Sequence, residues 1–149
     1  MTPATTAVGS PSGRTTSMQI AHTVEVDLDH AAAIDAVTAA LGEQGFGVLT
    51  TIDIKATLAA KLGEQVDDYT ILGACNPRLA HAALSASPEV GLLLPCNVTV
   101  RRAGGRTVVQ AVDPGALLGM AAGEQADLAD TAADAGARLR AALDSLTSR

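Results

Sequence analysis

The pattern of hydrophobic and polar positions along the chain predicts five β-strands. Val24 and Val26 alternate with polar neighbours, and a period of two returns after Gly45, as expected for strands with one buried face. The short apolar run over residues 69–74 is typical of a buried strand. The predicted strands cover residues 21–27, 46–54, 69–74, 91–102 and 107–112. In the second strand, the side chains expected on one face are Phe46, Val48, Ile52 and Ile54.

Helical periodicity and capping residues predict the elements between these strands. Asp29 is a suitable N-cap for a first helix, in which Ile34 and Leu41 belong to one apolar face. Gly42 and Gly45 are expected to end that helix, and Gly63 to end a second, shorter one.

Two further helical regions follow. Asn76 is a good N-cap and Pro77 suits the first helical position, so a third helix is expected to run to Ala86. Residues 116–146 are also helical in pattern, with interruptions expected near Gly119 and Gly123. The apolar stripe of the last helix consists of Leu128, Ala132, Ala135, Leu139, Ala142 and Leu146.

The resulting order of elements is β-α-β-α-β-α-β-β-α. Residues 103–106, which contain Gly-Gly, join the last two strands as a hairpin turn. This order predicts an α+β fold with a single mixed sheet of about five strands and helices packed mainly on one face. Because a one-sided sheet leaves its other face or an edge to be covered, we expect a homodimer.

Composition and charge exclude several classes of function. The 149 residues suffice for one domain, and 48% of them are hydrophobic, but only 1% are aromatic. With Phe46 and Tyr69 as the only rings, the chain lacks the aromatic platforms that stack on bases or sugars. A net charge of -6 opposes binding to a phosphate backbone, so no nucleic-acid partner is expected.

The two ends of the chain differ in composition. Residues 1–17 are rich in Thr, Ala, Ser, Pro and Gly, which predicts a disordered leader ahead of a single α+β domain over residues 18–149. Met18 is a candidate natural start. The leader has no apolar core of a secretory signal, and no apolar run approaches the length that spans a bilayer. We therefore expect a cytoplasmic protein with no membrane partner and with reduced thiols.

The two cysteines lie in similar turns, each of which combines Cys with Pro and Asn. Cys75 lies at a strand-to-helix corner, and Cys96 follows a proline inside a predicted strand. Because proline cannot donate to a strand ladder, that strand is expected to be an edge, kinked or bulged there. If the strands that flank the third helix run parallel, the crossover brings the two sulfur atoms close together. The residues of this candidate site are Cys75, Asn76, Pro77, Pro95, Cys96 and Asn97.

Two interpretations of these cysteines are open. Two thiolates on a rigid frame would be soft donors for Cu(I) or Zn, and the helix N-terminus beside Cys75 favours a thiolate. His81, one turn into that helix, is a weaker candidate for a third ligand, since an exposed helical histidine is the more common case. The cysteine spacing matches no standard zinc or iron–sulfur signature. In the other interpretation, Cys75 and Cys96 are small buried hydrophobic residues.

At these residues the chain resembles the family called domain of unknown function 302. The resemblance covers residues 24–118, and the helix after Gly123 lies outside it. It rests on residues 45–50, 71–77, 80, 92–98 and 113–114. The resemblance implies a compact α+β domain with a single sheet that can pair as a dimer, and it supplies no reaction or cofactor.

Three functions from different classes therefore remain. The first is binding through Cys75 and Cys96 of a soft metal ion, which would be the cofactor of the protein, or of a redox or sulfur partner. The second is a non-catalytic dimeric scaffold or small-ligand-binding module with buried structural cysteines. The third is an enzyme with Cys75 as nucleophile, which ranks last because the sequence places no general base beside it.

Overall fold

The computed structural model describes residues 20–122 and 126–147 of the chain. The predicted leader over residues 1–17 lies outside these residues. The elements, in chain order, are β1 (Ala21–Val26), α1 (His30–Glu43), β2 (Gly47–Asp53), α2 (Ile54–Leu62), β3 (Tyr69–Cys75), α3 (Pro77–Ala86), a 3-10 helix (Pro88–Leu93), β4 (Cys96–Ala103), β5 (Arg106–Val112), α4 (Pro114–Ala122) and α5 (Ala126–Thr147).

The five strands form one open sheet in the order β1-β5-β4-β3-β2. The α+β class, the five strands and the helix layer on one face are confirmed. All neighbouring strands pair antiparallel, whereas a mixed sheet was expected. In particular, β3 and β4 are antiparallel, so the parallel crossover expected around the third helix is wrong. The chain instead reverses through α3 and the 3-10 helix, which together bring it back beside β3.

Local capping explains where the helices begin and end. The side chain of Asp29 accepts a hydrogen bond from the backbone N–H of Ala32 at 2.8 Å, which caps α1 as predicted. Asp53 caps α2 in the same way through the N–H of Ala56. Gly63 follows α2 in the left-handed region with a φ of 71°, where a glycine avoids the steric cost of a side chain.

The predicted strand over residues 91–102 is shorter in the structure than expected. Its first part belongs to the 3-10 helix, and β4 begins only at Cys96. Leu92 is 86% exposed, so this apolar run does not mark a continuous buried strand. Pro95 therefore precedes the first ladder pair instead of interrupting the strand, and β4 lies in the sheet interior, not at an edge.

A bulge in β2 changes which of its side chains face the core. Val48 pairs with Ala74 while Thr50 pairs with Gly73, so Leu49 is an extra residue. Phe46 and Val48 pack on the helix-covered side, but Ile52 lies opposite Ile71 and is 45% exposed. The prediction that the four apolar residues of this segment share a face is therefore wrong, because the inserted residue reverses the alternation.

Two groups of buried side chains form the core. The larger group lies between the sheet and helices α1 and α5, with Leu41, Val98 and Leu143 fully buried. The smaller group lies among α3, the 3-10 helix, α4 and α5. All six residues of the predicted stripe on the last helix are buried, so α5 contributes to both groups.

Candidate functional site: an apolar cavity between the two cysteine turns

The two cysteine turns meet at one end of the sheet. Cys75 is the last residue of β3, Cys96 is the first residue of β4, and the direct ladder partner of Cys96 is Ala74. Both thiols are free, with Cys75 half-buried and Cys96 buried. Antiparallel pairing therefore places the two turns side by side, although the sequence argument relied on a parallel arrangement.

Both cysteines line an apolar cavity of about 40 Å³. Its wall also includes Phe46 before β2 and Val112 at the end of β5. Within the described part of the chain, no acidic or basic side chain lines this cavity. The other lining residues come from α3, the Leu93–Leu94–Pro95 segment and helices α4 and α5: Ala74, Asn76, Leu79, Ala80, Ala83, Leu93, Leu94, Pro95, Pro114, Leu117, Leu118, Thr131, Ala132 and Ala135.

The cavity lies where the two groups of core residues meet. Leu94 packs against both groups, while Ala74 and Ala135 belong to the larger one and Ala83 and Ala132 to the smaller one. Four of these five side chains are single methyl groups, which are too short to fill a junction between a sheet end and three helices. The near absence of aromatic residues in the chain leaves few larger side chains for that space.

Asn76 holds the first cysteine turn in place. Its side-chain oxygen accepts a hydrogen bond from the N–H of Leu79 at 3.3 Å, and its amide nitrogen donates to the carbonyl of Gln44 at the same distance. The residue therefore caps α3, as predicted, and also ties that cap to the segment after α1. Pro77 occupies the first position of α3 and is exposed.

The second turn is held by packing. Pro95 follows a cis peptide bond and lies in the cavity wall, and its ring approaches the Cα of Gly73 on the neighbouring strand. Asn97 is exposed on β4 and lines an adjoining depression. His81 lies on the exposed side of α3, outside the cavity wall.

Burial determines the charge of the second thiol. Removal of Cys96 from water raises its pKa from 9.0 to about 11, and the nearby Cys75 adds a smaller contribution in the same direction. This rise in the pKa of Cys96 from 9.0 to about 11 lowers its thiolate fraction near neutral pH by roughly 100-fold. Cys96 is therefore a neutral thiol at the cavity wall under physiological conditions.

The cysteine turns do not assemble a larger set of metal-binding side chains. Over residues 20–122 and 126–147, no group of three or more His, Cys, Asp or Glu side chains is placed to hold a metal ion. A metal ion at this site would therefore rely on Cys75 and Cys96 as its protein ligands. To bind the ion as a thiolate, Cys96 must first lose its proton, and its raised pKa opposes that loss.

Open depressions adjoin the cavity on both sides. One, of about 220 Å³, shares Leu93, Leu94 and Pro95 with the cavity wall and adds Asn97 and Leu92. Another, of about 230 Å³, shares Asn76 and contains the charged residues Arg78, Asp134 and Arg138. Asp134 and Arg138 form an ion pair at 2.9 Å, one turn apart on α5.

Sequence reasoning missed the contribution of the last two helices to this site. Leu117 and Leu118 of α4 and Thr131 of α5 lie in the cavity wall, far in sequence from either cysteine. The available signal was the alanine-rich stripe of α5, because small side chains at a helix junction leave unfilled space. That signal does not say which part of the sheet the stripe covers.

The fold and site define a small α+β domain with a helix layer on one side of an antiparallel sheet and a thiol-lined cavity at the sheet end. A model of the family "Domain of unknown function DUF302" matches residues 22–146, and the chain belongs to this family. The match extends through α5, beyond the part of the chain in which the sequence resemblance was seen.

A solved structure supports the same assignment. The chain is similar to the "uncharacterized conserved protein DUF302 from Bacillus stearothermophilus", with 31% sequence identity and a TM-score of 0.79. The similarity covers 85% of this chain and 98% of that one. A comparison with curated proteins gave no match.

In the described part of the chain, no helix combines the length and the apolar character needed to cross a membrane.

Proposed function

We propose that this domain binds a small, uncharged, largely apolar group in the cavity between its two cysteine turns. The observation that carries the proposal is the cavity itself, which has a largely apolar wall and is lined by both cysteine turns. A charged ligand group inside this cavity would lose its hydration without gaining a counter-ion. An alkyl group of a ligand is instead stabilised when it leaves water. The neutral Cys96 thiol suits the same kind of ligand.

The size of the cavity limits the ligand. A volume of 40 Å³ is well below the roughly 150 Å³ of a cavity that holds benzene, so only a short alkyl end fits without rearrangement. The remainder of such a molecule would lie in the adjoining depression, where Asn97 offers a neutral hydrogen-bonding group. We infer a ligand with a short apolar end and an uncharged polar group. Two or three buried CH₂ groups give only about 2 kcal/mol, so the dissociation constant of a minimal ligand is on the order of tens of millimolar.

The test is a titration of the full chain with 1-butanol, followed by ¹H–¹⁵N NMR. We expect saturable shifts concentrated at the cavity wall. Ala132→Val fills the cavity from α5 and should weaken binding by roughly tenfold or more, since the alkyl end no longer fits. Ala133→Val is the matched control, because it adds the same β-branched side chain to the next position, which is exposed.

If Ala132→Val does not fold, Ala83→Val fills the same cavity from α3. Shifts that do not saturate in the wild type, or equal binding by wild type and Ala132→Val, would remove the proposal.

A soft metal ion or a redox partner held by the two cysteines is the competing function. The observation in its favour is that Cys75 and Cys96 line the same cavity. The raised pKa of Cys96 and the lack of a third ligand in the described residues weigh against it. Competition of the reduced protein with a Cu(I) chelator separates the two functions. Copper uptake by the wild type that is lost in both Cys75→Ser and Cys96→Ser would replace the apolar-ligand proposal.

We also propose a cytoplasmic location and a non-catalytic role. The chain has only two cysteines in 149 residues, unlike the disulfide-dense small domains of oxidising compartments, which supports a reducing compartment. A binding role is supported by the absence of His, Asp, Glu and Lys from the cavity wall within the described residues, since a nucleophilic cysteine needs a base to activate it.

A further inference from the structure

The cavity wall contains two thiols and no stronger nucleophile. Within the described residues, the wall includes Cys75 and Cys96 but no Lys, His, Asp or Glu side chain. Its other polar side chains are the amide of Asn76 and the hydroxyl of Thr131, which are poor nucleophiles without an activating base. Cysteine depends least on such activation. Covalent chemistry with a ligand in this cavity is therefore thiol chemistry.

The two thiols differ in their access to a ligand. Cys75 is half-buried at the end of β3, whereas Cys96 is 8% exposed at the start of β4. The thiolate is the nucleophilic form of cysteine, and burial holds Cys96 in the neutral form. A reaction with a ligand is therefore expected at Cys75, with Cys96 left as a thiol.

The Cys96 thiol is a buried donor without a partner. It makes no side-chain hydrogen bond within the described part of the chain, although more than nine-tenths of the residue is removed from water. Buried polar groups are usually paired, so the missing partner is expected to come from outside the chain. Pro95 and Asn97, its neighbours in sequence, both line the adjoining depression. An acceptor oxygen at the border between cavity and depression would satisfy this thiol.

We propose that Cys75 captures an uncharged α,β-unsaturated ketone or aldehyde with a short alkyl end as a covalent adduct. The proposal rests on the proposed function, because the alkyl end occupies the same apolar cavity. In such a molecule the reactive β-carbon lies between the alkyl end and the carbonyl group. The cavity takes the alkyl end, the Cys75 sulfur faces the β-carbon, and the carbonyl oxygen accepts a hydrogen bond from Cys96.

The reaction is an addition that needs no further reagent. Cys75 releases its thiol proton to water, and its sulfur forms a bond to the β-carbon of the ligand. The electron pair of the C=C bond moves towards the carbonyl group to give an enolate, and the α-carbon then takes a proton from water. The net change is addition of S–H across the double bond. Repeated turnover would require a base beside Cys75, which the described wall lacks, so the capture is stoichiometric.

Reaction rates of the full reduced chain with two ketones test the proposal. 3-Hexen-2-one carries an ethyl group on its β-carbon, whereas 3-buten-2-one is the same methyl ketone without that group. Each rate is divided by the rate of the same ketone with glutathione, which removes the difference in intrinsic reactivity. We expect the normalised rate to be roughly tenfold higher for 3-hexen-2-one, because two carbons leave water in the cavity. Equal normalised rates overturn the proposal.

Peptide mapping by mass spectrometry locates the adduct. We expect one added ketone per chain, on Cys75, and no adduct in Cys75→Ser. Ala132→Val, or Ala83→Val if the first variant does not fold, should reduce the rate advantage of 3-hexen-2-one to near one, because the ethyl group no longer fits. Ala133→Val, at an exposed position, should keep the advantage. An adduct first formed on Cys96, or an advantage retained when the cavity is filled, overturns the proposal.

The titration with 1-butanol separates this proposal from the one on which it rests. Saturable shifts at the cavity wall, combined with equal normalised rates for the two ketones, leave the apolar-ligand function in place and overturn covalent capture alone. If the shifts do not saturate, the apolar-ligand function is removed and the capture that depends on it is overturned as well.

Discussion

At the scale of single residues, the two cysteines have different environments although their sequence contexts are alike. Cys75 is half-buried at the end of β3, whereas Cys96 is 8% exposed at the start of β4 and packs with the larger core group. From their sequence contexts, both thiols were expected to have the same role. Burial makes Cys96 a neutral wall residue, and this difference favours an apolar ligand over a metal ion.

The raised pKa of Cys96 predicts a loss of stability at high pH. The pKa is about 11 in the folded chain against 9.0 as the ordinary value, so between these pH values the unfolded chain loses the proton first. The stabilising contribution is fully present below pH 9.0 and disappears as the pH rises through about 11. Over that range, the free energy of unfolding of the wild type should fall by roughly 2–3 kcal/mol more than that of Cys96→Ala.

Urea denaturation at pH 8 to 11 measures this difference. Cys75→Ala should keep most of the pH dependence, because burial contributes more than Cys75 to the shift. Parallel pH profiles for the wild type and Cys96→Ala would contradict the assignment.

Gly73 allows a close approach next to the site. A Cβ atom there would lie 2.8 Å from Cγ of Pro95 and also clash with Oγ1 of Thr50 on β2. Gly73→Ala should therefore destabilise the fold by about 1–3 kcal/mol, as measured by thermal or urea unfolding. Gly47→Ala is the control, since no heavy atom lies within 4 Å of the added methyl group, and it should be close to neutral. Equal stability of the two variants would mean that β2 and Pro95 shift at little cost.

At the scale of elements, α3 is the best-determined part of the site. Its start follows from Asn76 and Pro77 and its end at Ala86 agrees with the prediction. The same asparagine joins α3 to the carbonyl of Gln44, so one side chain fixes both the helix start and its position relative to α1.

Asn76→Ala should lower the free energy of unfolding by about 1 kcal/mol or somewhat more, because it removes an N-cap and a second hydrogen bond. Asn97→Ala is a suitable control: Asn97 is exposed, and its side chain makes no hydrogen bond within residues 20–122 and 126–147. A denaturation midpoint for Asn76→Ala equal to that of Asn97→Ala would show that α3 does not depend on this cap.

At the scale of the whole molecule, the cavity lies at one end of an open sheet whose two edge strands are β1 and β2. β3 and β5 end where β2 and β4 begin, and α3, α4 and α5 cover this end. The edge strand β2 begins directly after Phe46 of the cavity wall. The β2 edge and the cavity therefore share one corner of the sheet.

What the sequence by itself determined is local. Residues that cap or break a helix, such as Asp29, Gly63 and Asn76, act through hydrogen bonds and backbone geometry within a few positions, so their effect is readable without the fold. The Gly-Gly hairpin and the buried stripe of α5 belong to the same category, since each depends on periodicity within one segment.

Only the tertiary structure decided the features that depend on distant segments. The antiparallel pairing of β3 and β4, the bulge at Leu49 and the 3-10 helix at Pro88–Leu93 result from competition among alternative packings, which a local pattern does not rank. The cavity is of the same kind. Its wall combines residues from Phe46 to Ala135, and its volume is the space that alanine side chains leave unfilled once the helices pack against the end of the sheet.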